Sequence, residues 1–383
     1  MKKVNIKRLK HRLHAAEKRL ARDKRTKGKG AVIDVSPIFL KPNFRSFKMR
    51  SEFSNPRIQA PTKLDLYSKD NFELFCNFIT NLELASKYND RVIICFRDTH
   101  RITAAAALRL LAEASRLLKA HPTLSFGCSV PNRRRGKYKN TDRIIEAVLQ
   151  QIGFFSIIGQ PERAPTKQAD ISIWRQLSGS LADGSLAANL LNSLPQTISK
   201  KSKAQLYKGA IEAMANSVDH AYPPEHAIDP LTENRWWMLV GTKEDSITLI
   251  VCDLGVGIPV TLPKKHPESM LKSIFKKIGI IGNGDAELIH ASTFIKRTRT
   301  NQTHRGKGGA DIRSITEHFP SALLSIRSNR GCYVVAGPSH HGKVSDDYRV
   351  IPGTDGREWS ASYDGSIGGT MIEWTVSLKE LEE

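Results

Sequence analysis

The chain has 383 residues, 40% hydrophobic and 25% charged. That is the balance of a soluble protein with room for about two domains, and no apolar run approaches the roughly 18–20 residues of a membrane helix. Its start, MKKVNIKRLKHRL, has charge but no apolar core and no small-residue cleavage site, so a cytoplasmic protein is expected rather than a secreted one. The net charge of +21 points to an acidic partner, nucleic acid or a ribonucleoprotein, with plain solubility as the alternative.

In chain order, residues 1–30 stand apart. They hold thirteen Lys and Arg against Glu17 and Asp23, about half of the net charge. Ile6, Leu9, Leu13, Ala16 and Leu20 recur at helical spacing, which predicts a basic amphipathic helix ended by the KGKG at 27–30. Such a helix suits a phosphate backbone, an acidic protein surface or anionic lipid; a solvated extension is the plain alternative.

Residues 31–165 read as a small α/β domain. Val92–Phe96 is a continuous apolar run expected of a strand buried on both faces, and Ile102–Ala120 follows as an Ala- and Leu-rich helix. Leu124–Val130 reads as a second strand and Thr141–Ile152 as a helix closed by Gly153. This order implies a sheet with helices packed on it. The pattern resembles a STAS domain, the fold of anti-sigma-factor antagonists, and that resemblance implies a protein partner. STAS switches phosphorylate a Ser at the start of the helix after the central strand; here Thr103, followed by Ala104–Ala107, is a displaced candidate. Arg133–Arg135 with Lys137, Tyr138 and Lys139 form a basic loop suited to phosphates or to solvent. Residues 166–202 read as a polar connector with a short helix around Ala187–Leu194. The five cysteines lie far apart without a CxxC pair, so neither a disulfide framework nor a structural zinc site is expected.

Four segments of residues 203–383 carry chemistry. Leu206–Tyr222 is a predicted helix ended by Pro223–Pro224, and its spacing puts Glu212, Asn216 and Asp219 on one face. Asn216 offers an uncharged oxygen to a magnesium ion shared with phosphates, and Glu212 could deprotonate a water. An exposed polar stripe with a Lys208–Glu212 ion pair is the alternative. Next, a buried strand in Ile247–Pro259 ends at Asp253, beside which Gly255 and Gly257 free the backbone. Third, Gly306, Gly308 and Gly309 precede a helix in HRGKGGADIRSI, where unpaired N–H groups with Arg305 and Lys307 can hold phosphate. Last, Gly368 and Gly369 lead through Thr370 into a closing strand. GPSHHGKV at 337–344 nearly spells a P-loop, but Val344 replaces the magnesium-binding Ser or Thr and no helix is expected after it.

In this order the four segments resemble the nucleotide site of the gyrase, chaperone, histidine kinase and MutL (GHKL) superfamily. The resemblance implies a Bergerat-type α/β sandwich, a mixed sheet with helices on one face, that binds ATP and Mg2+. It makes Asn216 the metal ligand, Asp253 the adenine-reading carboxylate, and Gly255 and Gly257 the base platform, with Ile258 and Asp219 beside them. Arg305, Gly306, Lys307, Gly308 and Gly309 become the phosphate loop, Thr370 a second adenine contact, Glu212 the general base, and residues 260–305 a mobile lid. A slow ATPase acting as a regulatory or effector switch, in bacterial stress or antiphage defence, is the leading expectation. An anti-sigma-like serine/threonine kinase and a non-hydrolysing ATP-gated binding module are the alternatives. A histidine kinase is disfavoured because the 166–202 connector has no His. A clamp would need a lysine-supplying domain from another subunit, and the superfamily's common homodimers are admitted without being demanded.

Overall fold

Apolar runs of strand length alternate with Ala- and Leu-rich segments through the first half of the chain, and they fold accordingly. The computed structural model describes residues 55–131, 142–162, 173–226, 234–243, 245–279, 282–295, 309–342 and 344–382. The expected basic helix of 1–30, the basic loop at 133–139 and the loop residues Arg305–Gly308 lie outside these. The first elements are β1 (Arg57–Gln59), β2 (Lys63–Leu64), α1 (Lys69–Tyr88), β3 (Arg91–Cys95), β4 (Arg101–Ile102), α2 (Ala104–Ala120), β5 (Ser125–Ser129), α3 (Asp142–Gln151) and α4 (Phe154–Ile157). Strands β1, β3 and β5 make a parallel sheet with β3 in the middle. Parallel neighbours need crossovers, which contain α1 and α2. Thr103 caps α2, its hydroxyl accepting from the Ala106 amide at 3.4 Å, so this hydroxyl has a structural task.

The second half runs β6 (Ile173–Gly179), α5 (Gly184–Asn192), α6 (Lys200–His220), β7 (Trp236–Lys243), β8 (Ser246–Asp253), α7 (Ile258–Lys265), α8 (Glu268–Ile278) and α9 (Asp285–Ser292). It continues through α10 (Gly309–Arg313), α11 (Ile315–His318), β9 (Leu323–Ser328), β10 (Gly331–Ala336), β11 (Arg349–Val350), β12 (Glu358–Ser362), β13 (Thr370–Ser377) and α12 (Leu378–Glu382). Eight strands form one sheet in the order β11-β12-β10-β9-β13-β8-β7-β6. Edge strand β6 and helix α5 come from the stretch read as a connector; β6 pairs with β7 from Ile173↔Thr242 to Gly179↔Trp236.

One sequence expectation for this sheet is corrected. A mixed sheet was expected, but every pairing in it is antiparallel, because neighbours such as β7–β8 and β9–β10 are joined by tight reversals rather than crossovers. The helices of the second half pack on one face, and the first half of the chain covers the other. Along β7, Trp236, Met238 and Val240 belong to the core shared with Leu206, Ala210 and Ala213 of α6. Trp237 and Leu239, of opposite parity, belong to the core shared with Leu108, Leu111 and Phe72 of the first half. A sheet buried on both faces reads as an unbroken apolar run, as WWMLV at 236–240 does. Helix α2 lies between the small and large sheets, buried from Ala105 to Ala114, which accounts for its Ala- and Leu-rich make-up; Arg109, Glu113 and Arg116 pair with one another along one stripe of it.

That second interface also buries a charged pair. Arg327 Nη1 lies 3.3 Å from Glu373 Oε2, with side chains 1% and 5% exposed. Tyr67 donates to Glu373 Oε1 at 2.5 Å. Arg327 in turn donates to the Leu66 carbonyl at 3.2 Å and to the Tyr348 hydroxyl at 3.2 Å.

Candidate functional site

A cavity of about 410 Å3 opens between the α6 face of the large sheet and the helices that follow it. Its apolar floor includes Val251, Ile326 and Ile372 from β8, β9 and β13. Helix α6 builds one wall. Ser199 caps it, its Oγ accepting from the Ser202 amide at 3.1 Å, and its small residues Gly209, Ala210 and Ala213, within little more than one turn, are buried against the sheet. Asn216, Ser217 and His220, spaced by one and four, line the cavity together.

Asp253 ends β8, the strand held between β7 and β13, so its carboxylate is fixed by two ladders. Oδ1 accepts from the Gly255 amide at 2.9 Å and the Thr370 amide at 3.1 Å. Oδ2 accepts from the Ser217 hydroxyl at 3.2 Å. Burial raises this carboxyl from an ordinary 3.8 to about 6, the hydrogen bonds from Gly255, Thr370 and Ser217 offsetting only part of the effect. A carboxylate oxygen has more than one acceptor site, so a cavity-lining carboxylate whose Oδ2 takes a single hydroxyl can also accept from an amine or amide N–H of a ligand.

The glycines beside it are required by close approach. A Cβ on Gly255 would lie 2.1 Å from the Ala221 carbonyl oxygen, and one on Gly257, at φ 84, would lie 2.7 Å from Asn329 Oδ1. A helix, α7, does open at Ile258 directly after Gly257, where sequence reasoning placed none; Pro259 sits in its first turn, where a missing N–H is tolerated. Gly369 has φ 85, and a Cβ there would meet the Asp253 carbonyl oxygen at 2.3 Å. Gly369→Ala is expected to cost about 1–3 kcal/mol, read as a lower denaturant midpoint, and to displace the Thr370 amide from Asp253.

The expected residues divide as follows. Asn216, Asp253, Gly257, Ile258, Gly309 and Thr370 all line the cavity. Glu212 sits one turn before Asn216, 3% exposed, and is not among the described lining residues. Gly255 faces a second cavity behind the same turn. Asp219 is exposed and not among the described lining residues; its carbonyl accepts from Lys265 Nζ at 3.3 Å. Gly309 opens α10 and packs so that a Cβ would lie 2.3 Å from the Ser292 carbonyl oxygen.

Helix α10 is anchored beneath the site. Arg313 Nη2 donates to Glu358 Oε1 at 2.5 Å, the Tyr333 hydroxyl donates to Oε2 at 2.7 Å, and His290 Nε2 lies 3.0 Å from Oε2. Burial alone would raise the Glu358 carboxyl; the contacts from His290, Arg313 and Tyr333 outweigh it and hold it at about 2.

Sequence reasoning missed Ser217, His220, His266 and Thr293, which also line the cavity. Ser217 was within reach, since it adjoins Asn216 on the same helix face; Thr293 and His266 are brought in only by the packing of α7 and α9. Among the described residues no group of three His, Cys, Asp or Glu could hold a metal ion, so Asn216 would serve a cation only in company with a ligand's own oxygens. No protein-family model and no curated protein matches the chain.

Proposed function

We propose that the chain binds ATP in the cavity beside Asp253, in the manner of the GHKL superfamily its motifs resemble, and acts as a nucleotide-controlled switch. The observation that carries the reading is the Asp253 arrangement. Its Oδ1 accepts from the Gly255 and Thr370 amides and its Oδ2 from the Ser217 hydroxyl, and the residue lines a cavity of about 410 Å3, within the usual size of a small-molecule site. On this reading Asp253 accepts from the exocyclic amine of adenine, and Gly257 lets the base pack against main chain. Asn216, on the same wall, would share a magnesium ion with phosphates, and Gly309 would stand at the phosphate end with Arg305–Gly308. ATP would supply the phosphates that such a loop and helix end recognise. Glu212 is the residue proposed to activate water for slow hydrolysis.

A second reading, a binding module that holds ATP without hydrolysing it, is favoured by the burial of Glu212 and its absence from the described lining. Equilibrium binding of ATP with Mg2+, followed by phosphate release, tests both. ATP binding with turnover supports the switch; binding without turnover supports the module; no binding overturns both. Glu212→Ala is expected to reduce turnover at least about 100-fold while leaving ATP affinity within about threefold, and equal turnover in the variant removes Glu212 from that role.

A further inference from the structure

The turn that carries Thr370 to Asp253 is gripped from two sides. Gly368 and Gly369 both take positive φ, 66 and 85, and so does Asn329 at 51. From one side, the Asn329 amide donates to the Gly369 carbonyl at 3.2 Å, and the Ile367 amide donates to the Asn329 carbonyl at 2.9 Å. From the other side comes Arg109, on helix α2 of the first half of the chain. Its Nε donates to the Ile367 carbonyl at 2.8 Å, and its Nη1 donates to Glu113 Oε2, also at 2.8 Å. Arg109 is 5% exposed and Glu113 1%. Glu113 accepts as well from Arg116, which reaches Glu83 of α1 at 3.1 Å.

The same turn is a thin wall between two cavities. Thr370 and Asp253 line the first. Gly368, Gly255, Arg109 and Glu113 line the second, of about 450 Å3. Arg109 is not among the described residues lining the first cavity; it reaches that cavity through the turn and through its charge, which helps hold the Asp253 carboxyl down, and a lysine in its place keeps the charge while losing the grip on the turn.

An arginine at this position needs a physical reason. Its neighbours in α2, Leu108, Leu110 and Leu111, are all fully buried leucines, and a leucine at 109 would need no desolvated partner charge. Glu113 balances the guanidinium, and what the guanidinium adds is a rigid fork that holds a carboxylate and a main-chain carbonyl together. The carbonyl it holds belongs to Ile367, three residues before the amide that meets Asp253.

We infer that Arg109 is a positioning residue for the adenine end of the nucleotide site, through which the first half of the chain sets the register of the 367–370 turn and hence nucleotide affinity. This rests on the ATP reading above. Lysine can keep the charge beside Glu113 but cannot reproduce the fork, so Arg109→Lys tests the geometry with the pair's charge retained. The double variant Arg109→Met with Glu113→Gln removes both charges and keeps the volume.

The experiment compares the full chain with both variants. It measures affinity for ATP and for inorganic tripolyphosphate with Mg2+ by calorimetry, thermal melting, and amide hydrogen exchange of the segment holding residues 367–370. The expected result is a cooperative melt, about tenfold weaker ATP binding, unchanged tripolyphosphate binding and faster exchange at Thr370. Variants that keep both the wild-type ratio of ATP to tripolyphosphate affinity and the Thr370 protection overturn the inference. So do variants that weaken both ligands equally or that both fail to melt cooperatively, since a purely structural role would do that. A wild type that does not distinguish ATP from tripolyphosphate instead overturns the adenine reading, and this inference with it.

Discussion

Asp253→Asn is expected to weaken ATP binding by about 10- to 100-fold while leaving the fold as stable as before or more so. The affinity loss follows because a carboxylate oxygen that accepts from an amine is replaced by an amide that can present its own N–H there, and charge-assisted hydrogen bonds are worth about 1.5–3 kcal/mol. The stability gain follows from linkage. The Asp253 carboxyl has an ordinary value of 3.8 and sits at about 6 in the folded chain, chiefly through burial. A raised carboxyl binds its proton more tightly folded than unfolded. Its stabilising contribution is therefore present below about 4 and is lost as pH rises through about 6, on the order of 3 kcal/mol in all. Asparagine carries no charge to desolvate, and its Oδ1 can keep accepting from Gly255 and Thr370. Wild-type ATP affinity should also fall as pH drops below about 6, by up to tenfold per unit, while tripolyphosphate affinity does not follow it. Calorimetry from pH 5 to 8 reads both. A wild-type profile flat in pH, or an Asn variant that binds ATP as well, would remove Asp253 from base recognition.

The second large effect is structural. Glu373→Ala is expected to destabilise the chain by about 3–5 kcal/mol, because it leaves the Arg327 guanidinium buried without its carboxylate. Arg327 is 1% exposed and also bonds Leu66 and Tyr348, and Tyr67 loses its acceptor in the same change. These groups join the first half of the chain to the large sheet, so the loss should appear as a lower urea midpoint. Replacing both Arg327 and Glu373 by leucine should recover much of the loss, since no charge then remains to be desolvated. A single variant as stable as wild type would show that this buried pair does not help hold the two halves together.

How far the molecule could be read from sequence depends on which interactions were local. Helices α2 and α6, strands β3, β5, β8 and β13 and the glycine turns beside Asp253 follow from periodicity, from apolar runs and from Gly and Pro punctuation, all of which act within a few residues. The ends shift: α6 starts at Lys200, six residues before the expected start, and stops at His220, two before the expected end. Strand β6 was passed over because IWRQLSG alternates only weakly, and it is recruited by its ladder to β7 rather than by its own propensity. Strand β7 went unread although its apolar run was plain.

The sequence by itself determined the local chemistry. It placed an asparagine on a helix, an aspartate at a strand end and glycines where no side chain fits, because spacing along a helix or strand decides which groups share a face. Only the tertiary structure decided that the large sheet is antiparallel and covered on both faces. It alone showed that Glu212 is buried, and that an arginine 258 residues from Ile367 in sequence grips its carbonyl. Those facts depend on pairings between distant segments, whose partners no local pattern names, since strand order and helix docking are selected by the mutual fit of faces and the need to pair buried charge.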